Sequence, residues 1–133
     1  MDAPILRMVL QRHARDCGVA VLAMLCGVSY EEALVAVSAE APLVLTHGVT
    51  TAQLKRAAKR LGHRLRSTTR YDLESDTGAL CVRNHRWPTD HLVVLAADRI
   101  IETDGLLWEP DTFFKHYLAQ PGMLFVAEAL EES

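Results

Sequence analysis

The chain reads Asp-Cys-Gly-Val-Ala-Val-Leu-Ala-Met-Leu-Cys-Gly over residues 16–27. The part from Val19 to Leu25 is apolar on every side, as is typical of a helix buried inside a domain. Asp16 is placed to cap the start of this helix, and Gly27 is placed to end it. The sequence therefore predicts a buried central helix with Cys17 in its first turn.

Two further helices are expected, each beginning with a capping box. In this motif a Ser or Thr is followed three residues later by a Glu or Gln, and residues 29–32 and 50–53 both fit it. The first of these helices is expected to end near Ser38. The second repeats apolar residues at helical spacing and should stop at Gly62.

The second half of the chain has the short apolar runs that are typical of strands. Strands are expected at 64–67, 79–83, 92–97, 100–103 and 122–127, with a short helix at 111–118. Helices that precede antiparallel strands favour an α+β fold.

The chain is expected to form one domain over residues 1–133, because no internal repeat or linker divides it. The core should cover about residues 5–127, preceded by a short strand or extended arm at 1–10. The acidic tail from Glu128 onward is expected to fray.

Composition narrows the classes of function. The chain has 133 residues, 50% of them hydrophobic, and a formal net charge of −3. This mild charge predicts neither a nucleic-acid nor a membrane partner. No targeting segment or bilayer-spanning run is visible, so the cytoplasm is the expected location. The three cysteines predict no disulfide framework, and the absence of a CxxC or HExxH pattern gives a zinc site little support.

Cys17 is the candidate nucleophile. A cysteine reacts as its thiolate, and the start of a helix lowers the pKa of a thiol. Gly18 has no side chain, so a substrate carbonyl could approach closely. The alternative is an inert, buried cysteine, which is how we interpret Cys26 and Cys81.

A cysteine nucleophile needs a base and a group that orients the base. His91 opens an apolar strand, and a two-residue turn at 98–99 would pair Val93 with Asp104. His91 and Asp104 would then be diagonal neighbours on one face of the sheet.

Three other carboxylates fit this register less well. Glu102 shares the face but lies further from His91, Asp98 falls in the turn, and Asp90 points to the opposite face. Asp104 is therefore the predicted orienter of His91. The nearby residues Arg86, Trp87 and Trp108 are expected to shape the cleft.

The whole pattern resembles that of a known family. The residues that carry the likeness are Gln11, Asp16, Cys17 and Gly18, followed far downstream by His91 in His-Leu-Val-Val-Leu and by Asp104. This pattern is similar to that of the bacteriocin-processing, double-glycine leader peptidases of the papain-like clan. The helix text at 27–33 and 48–62 is similar as well. The likeness extends over about residues 5–127.

The resemblance implies a papain-like fold in which a helical half carries Cys17 and a sheet half carries His91 and Asp104. It implies hydrolysis of a peptide bond through a thioester, without metal or cofactor, after small residues such as Gly-Gly or Gly-Ala. The amide of Gln11 would donate a hydrogen bond to the oxyanion.

Several alternatives stay open at this point. The substrate could be another peptide, a protein with a Gly-Gly tail as in deubiquitinase-like isopeptidases, or a cell-wall peptide. The same thioester could support acyl transfer. A peptide-binding or adaptor module could retain the fold without turnover.

Overall fold

The computed structural model of the protein describes residues 6–130. Helices come first: α1 at Cys17–Cys26, α2 at Tyr30–Glu40, α3 at Val44–His47 and α4 at Thr51–Arg60. A strand-rich part follows: β1 at His63–Thr68, β2 at Thr77–Arg83, β3 at His91–Ala96, β4 at Ile100–Ile101, β5 at Leu107–Trp108, α5 at Pro110–Tyr117 and β6 at Gln120–Ala129. The predicted α+β order of elements is confirmed.

The predicted central helix is α1. Eight of its ten residues are buried, and Gly27 ends it in the left-handed conformation at φ 67°. Glycine adopts this conformation without the penalty that a Cβ imposes. Asp16 occupies the capping position, but its side chain makes no capping hydrogen bond. That part of the prediction is wrong, because the Asp16 carboxylate is used elsewhere.

Both capping boxes are present. Ser29 caps the start of α2 and Thr50 caps the start of α4. Each cap residue forms hydrogen bonds with the backbone and the side chain of the residue three positions later, Glu32 or Gln53. The two helices are also joined by charge, because Glu40 near the end of α2 binds Arg56 and Arg60 of α4. Capping hydrogen bonds thus define where α2 and α4 start, and these ion pairs join the two helices.

The strands form one antiparallel sheet in the order β1-β6-β2-β3-β4-β5. One sheet face packs against the helices through Leu65, Ala79, Val94 and Phe125. The opposite face is covered by α5, where Phe113 is fully buried. β3 therefore lies in the middle of the fold, beside α1.

Some expectations for the ends of the chain are corrected. The predicted frayed tail begins too early, because Glu128 and Ala129 belong to β6 and Glu128 binds Arg64 and Arg66 of β1. The predicted arm at 1–10 lies partly outside the described residues, and residues 6–10 form no regular element.

Within residues 6–130, no single helix has the length and apolar character of a membrane span. The bent pair α1 and α2, which meet at 119°, passes that test only when both helices are counted together.

Candidate active site

Cys17 lies at the first position of α1, at the edge of a cleft of about 750 Å³ between the helical and sheet halves. The cleft is lined on the helical side by Gly18, Val49 and Leu54, and on the sheet side by His91 and Leu92. The structure thus brings Cys17 and His91 together, as the sequence predicts.

The surroundings of Cys17 favour the thiolate. Burial raises the pKa of its thiol. This effect is outweighed by a hydrogen bond and the charge of His91 and by the backbone N–H groups of Leu92 and Gly18, all of which lower the pKa. The net result is a pKa below the ordinary value for cysteine. A thiolate at neutral pH is the reactive form of a cysteine.

The other two thiols behave in the opposite way. Burial raises the pKa of Cys26 to about 11. Burial together with the nearby Asp90 carboxylate raises the pKa of Cys81 to about 11. Cys26 is a core residue, as expected, but Cys81 is only half-buried and lines the cleft, so its assignment to the core is wrong.

His91 is held by Glu102. Its Nε2 lies 2.7 Å from Oε1 of Glu102, and its ring also makes a hydrogen bond with Cys17. Burial lowers the pKa of His91, but the hydrogen bonds and charges of Cys17 and Glu102 raise it to about 10. The structure therefore favours a thiolate–imidazolium pair supported by a carboxylate.

The prediction that Asp104 orients His91 is wrong. Asp104 is exposed and its Oδ1 accepts a hydrogen bond from the backbone N of Leu106, 3.0 Å away. The carboxylate beside His91 is Glu102, whose side chain is only 10% exposed. The geometry assigns the orienting position to Glu102.

Two features of the β3–β4 hairpin explain the difference: the position of its turn and the early end of β4. The turn is formed by Ala97 and Asp98, both with positive φ, and not by residues 98–99. Leu95 consequently pairs with Ile100, where the prediction paired it with Glu102. This register brings Glu102 two positions closer to the start of β3, where His91 lies. A longer β4 would also bring Asp104 opposite His91, but β4 ends at Ile101, and the chain turns there, with Glu102 N donating to Leu106 O and Gly105 N donating to Glu102 O. Asp104 therefore lies in this turn and not on the strand.

The turn is held from outside the hairpin. Ala97 N donates to Asp76 O at 3.1 Å, and Asp98 N donates to Leu73 O at 3.0 Å. Alanine is an unusual residue at positive φ, so local sequence gives little sign of this turn. Glu102 and Asp104 both share a face with His91 in either register, so the choice between them depends on where β4 ends.

Gln11 lies beside the site but is not among the residues that line the cleft. Its Nε2 donates to His13 O at 2.6 Å, and its Oε1 accepts a hydrogen bond from the hydroxyl of Thr103. The expected role of Gln11 as an oxyanion donor therefore stays a prediction. Its link to Thr103 was not foreseen.

Asp16, immediately before Cys17, is fully buried and shapes the loop that leads to the nucleophile. Its carboxylate accepts hydrogen bonds from the backbone N of Arg12 and of His13 and from the hydroxyl of Tyr30. Three donors satisfy this buried charge, as such a group requires.

Trp87 lies beside His91. Its ring meets the His91 ring edge-on, with centroids 6.3 Å apart, and it lines the cleft. Of Arg86, Trp87 and Trp108, which were expected to shape the cleft, only Trp87 is among the lining residues. Trp108 packs instead against Phe113 and Tyr117.

Comparison with solved structures identifies the fold. A double glycine motif protease from an AMS/PCAT transporter, solved in complex with the leader peptide, matches at a TM-score of 0.67 and 18% identity, over 96% of this chain and 94% of that one. The peptidase domain of Streptococcus ComA, a bi-functional ABC transporter involved in quorum sensing, matches at a TM-score of 0.69 and 20% identity, over 96% and 100%.

These likenesses show that the protein has the papain-like fold of double-glycine peptidase domains, as the sequence predicts. No protein-family model and no curated protein matches the chain.

Proposed function

We propose that the protein is a papain-like cysteine peptidase. The observation that carries the proposal is the unit of Cys17, His91 and Glu102, in which a carboxylate holds an imidazole against a thiol of lowered pKa. The same three chemical roles define cysteine and serine hydrolases on several unrelated folds. The match to peptidase domains of the same fold supports this assignment.

The proposed reaction has two stages. The Cys17 thiolate attacks the substrate carbonyl, and a C–S bond forms as the carbonyl oxygen becomes an oxyanion. His91 gives its proton to the leaving amine, so the C–N bond breaks and a thioester remains. Water, deprotonated by His91, then hydrolyses the thioester and restores the thiolate–imidazolium pair.

The oxyanion needs hydrogen-bond donors. The backbone N–H of Cys17 belongs to the first turn of α1, where N–H groups have no intrahelical partner and can bind an anion. Gln11 is the proposed second donor. Its amide nitrogen carries two hydrogens, and the bond to His13 O uses one of them.

The proposed substrate is a peptide cleaved after small residues such as Gly-Gly or Gly-Ala. Gly18 lies in the cleft wall next to the nucleophile, and a Cβ added to it would lie 2.7 Å from Cγ1 of Val49. The double-glycine specificity named for one neighbour, and its bound leader peptide, support the same class of substrate.

Peptide cleavage by matched cysteine variants tests the proposal. Peptides with an internal Gly-Gly or Gly-Ala are incubated with wild type, Cys17→Ala and Cys26→Ala, and products are identified by mass. We expect cleavage by wild type and by Cys26→Ala, and a loss of at least about 10³-fold in Cys17→Ala. Equal rates in both variants would remove Cys17 as the nucleophile.

The same assay separates the alternatives. Added amines would appear in the product mass if the thioester served acyl transfer. Retention of an uncleaved peptide by both wild type and Cys17→Ala would instead identify a binding module.

A further inference from the structure

Thr103 lies between the two halves of the site. It is 1% exposed and directly follows Glu102, at the point where the chain turns from β4 toward β5. The proposed reaction as described assigns it no role. Its contacts, however, reach both Glu102 and the loop that leads to the nucleophile.

Toward the base, Thr103 binds the oxygen that holds His91. The backbone N of Thr103 donates to Oε1 of Glu102 at 2.8 Å, and the hydroxyl oxygen lies 3.1 Å from the same atom. Oε1 also receives the 2.7 Å bond from His91. Burial raises the pKa of Glu102, but these partners lower it overall, so the carboxylate stays charged.

Toward the nucleophile, Thr103 holds Gln11 at two points. The backbone N of Gln11 donates to Thr103 O at 2.9 Å. The Thr103 hydroxyl donates to Oε1 of Gln11, which turns the amide nitrogen of Gln11 away from Thr103 and toward the loop before Cys17. One buried residue therefore joins segments that lie 92 positions apart in the chain.

We propose that Thr103 is a positioning residue that holds Glu102 and Gln11 in one hydrogen-bonded unit. Its backbone N–H fixes the carboxylate that orients His91. Its single hydroxyl proton, shared between Oε1 of Gln11 and Oε1 of Glu102, links that carboxylate to the amide that serves the oxyanion. This inference rests on the proposed peptidase function. A carboxylate or amide that is itself held by hydrogen bonds keeps the geometry that the reaction needs.

Three variants test the role of the hydroxyl. Thr103→Val removes the hydroxyl at nearly constant volume, and Thr103→Ser retains it. Thr68→Val is the matched control, because among residues 6–130 the Thr68 hydroxyl at the end of β1 bonds only with Arg70. Each variant is first checked for folding by its thermal unfolding midpoint. The measurements are kcat and KM for a Gly-Gly peptide, and the pH dependence of Cys17 alkylation by iodoacetamide.

We expect Thr103→Val to lower kcat about tenfold with KM little changed, which corresponds to the loss of one hydrogen bond to a charged network. The alkylation midpoint should move to higher pH, because Glu102 becomes easier to protonate and supports His91 less. Thr103→Ser and Thr68→Val should resemble wild type.

A second comparison tests the coupling to Gln11. Residues that act as one unit show non-additive losses, so Thr103→Val should cost little further activity in a Gln11→Ala background. Wild-type kcat and alkylation in Thr103→Val, or equal loss in the Val and Ser variants, would overturn the proposal. Alkylation requires no peptide, so a failure to find peptidase activity leaves this readout intact.

Discussion

Cys17 and His91, the proposed nucleophile and base, are held in place by different interactions. Cys17 continues directly into α1, whose residues Val19 to Leu22 are completely buried, so packing fixes its position. His91 depends on Glu102 and Thr103, at the side of the sheet where the strands shorten to two residues each. Substitutions near the nucleophile should therefore act mainly on stability, and those near the base mainly on chemistry.

The largest effect is expected on the base side. Glu102→Gln removes the charge that helps to raise the pKa of His91, and it should lower kcat/KM about 100-fold. Loss of that charge lowers the pKa of His91, so the alkaline limb of the pH–rate profile should move to lower pH. Rates against a Gly-Gly peptide from pH 5 to pH 10 measure both changes.

Asp104→Asn is the control for that experiment. Asp104 lies two residues away and is exposed, and among residues 6–130 its side chain bonds only with the backbone of Leu106. Its variant should keep the wild-type profile. A larger loss in Asp104→Asn than in Glu102→Gln would support Asp104 as the orienter of His91 and contradict the site described above.

The next effect is on the nucleophile side. Leu22 is fully buried in α1, and Leu22→Ala should cost about 2–5 kcal/mol of unfolding free energy through loss of burial and the cavity left behind. Denaturant unfolding measures this, with Leu106→Ala as an exposed control near the base that should change by less than about 0.5 kcal/mol.

Activity measured well below the unfolding transition distinguishes the two sides. Leu22→Ala should retain most of its kcat under those conditions. A loss of kcat as large as that of Glu102→Gln, without unfolding, would show that the two halves are not held as differently as the structure indicates.

A smaller effect is expected where the nucleophile side does use hydrogen bonds. Tyr30→Phe removes one of the three donors to the buried Asp16 carboxylate. Leaving that acceptor short of a partner should cost about 1–3 kcal/mol. The cost is measured by denaturant unfolding, and an unchanged midpoint would show that Asp16 does not depend on Tyr30.

The same contrast explains what could be predicted from the sequence. The helical half carries local signals: an apolar run, two capping boxes and a glycine at a left-handed position, and each gave an element close to the observed one. The short α3 and β5 were missed, since four- and two-residue elements leave little periodic pattern.

The candidate site was predicted only where it followed from such local signals. Cys17 and His91 come at the starts of a helix and a strand, and the structure brings them together. The choice of carboxylate depended on the hairpin register and on the end of β4 at Ile101. The hairpin turn is held by contacts from residues 73 and 76, far from it in sequence. Tertiary contacts of this kind leave no trace in the local pattern.

The most direct test of the central claim is the pH dependence of Cys17 alkylation by iodoacetamide, followed by peptide-resolved mass spectrometry, in wild type and His91→Ala. In wild type, the rate should reach its plateau well below pH 8, because the hydrogen bond and charge of His91 outweigh the effect of burial on the thiol pKa. In His91→Ala burial is opposed only by the backbone N–H groups, so the midpoint should rise to or above that of an ordinary thiol near pH 8.5. Identical midpoints near pH 8.5 in both proteins, or no labelling of Cys17 in either, would contradict the thiolate–imidazolium pair.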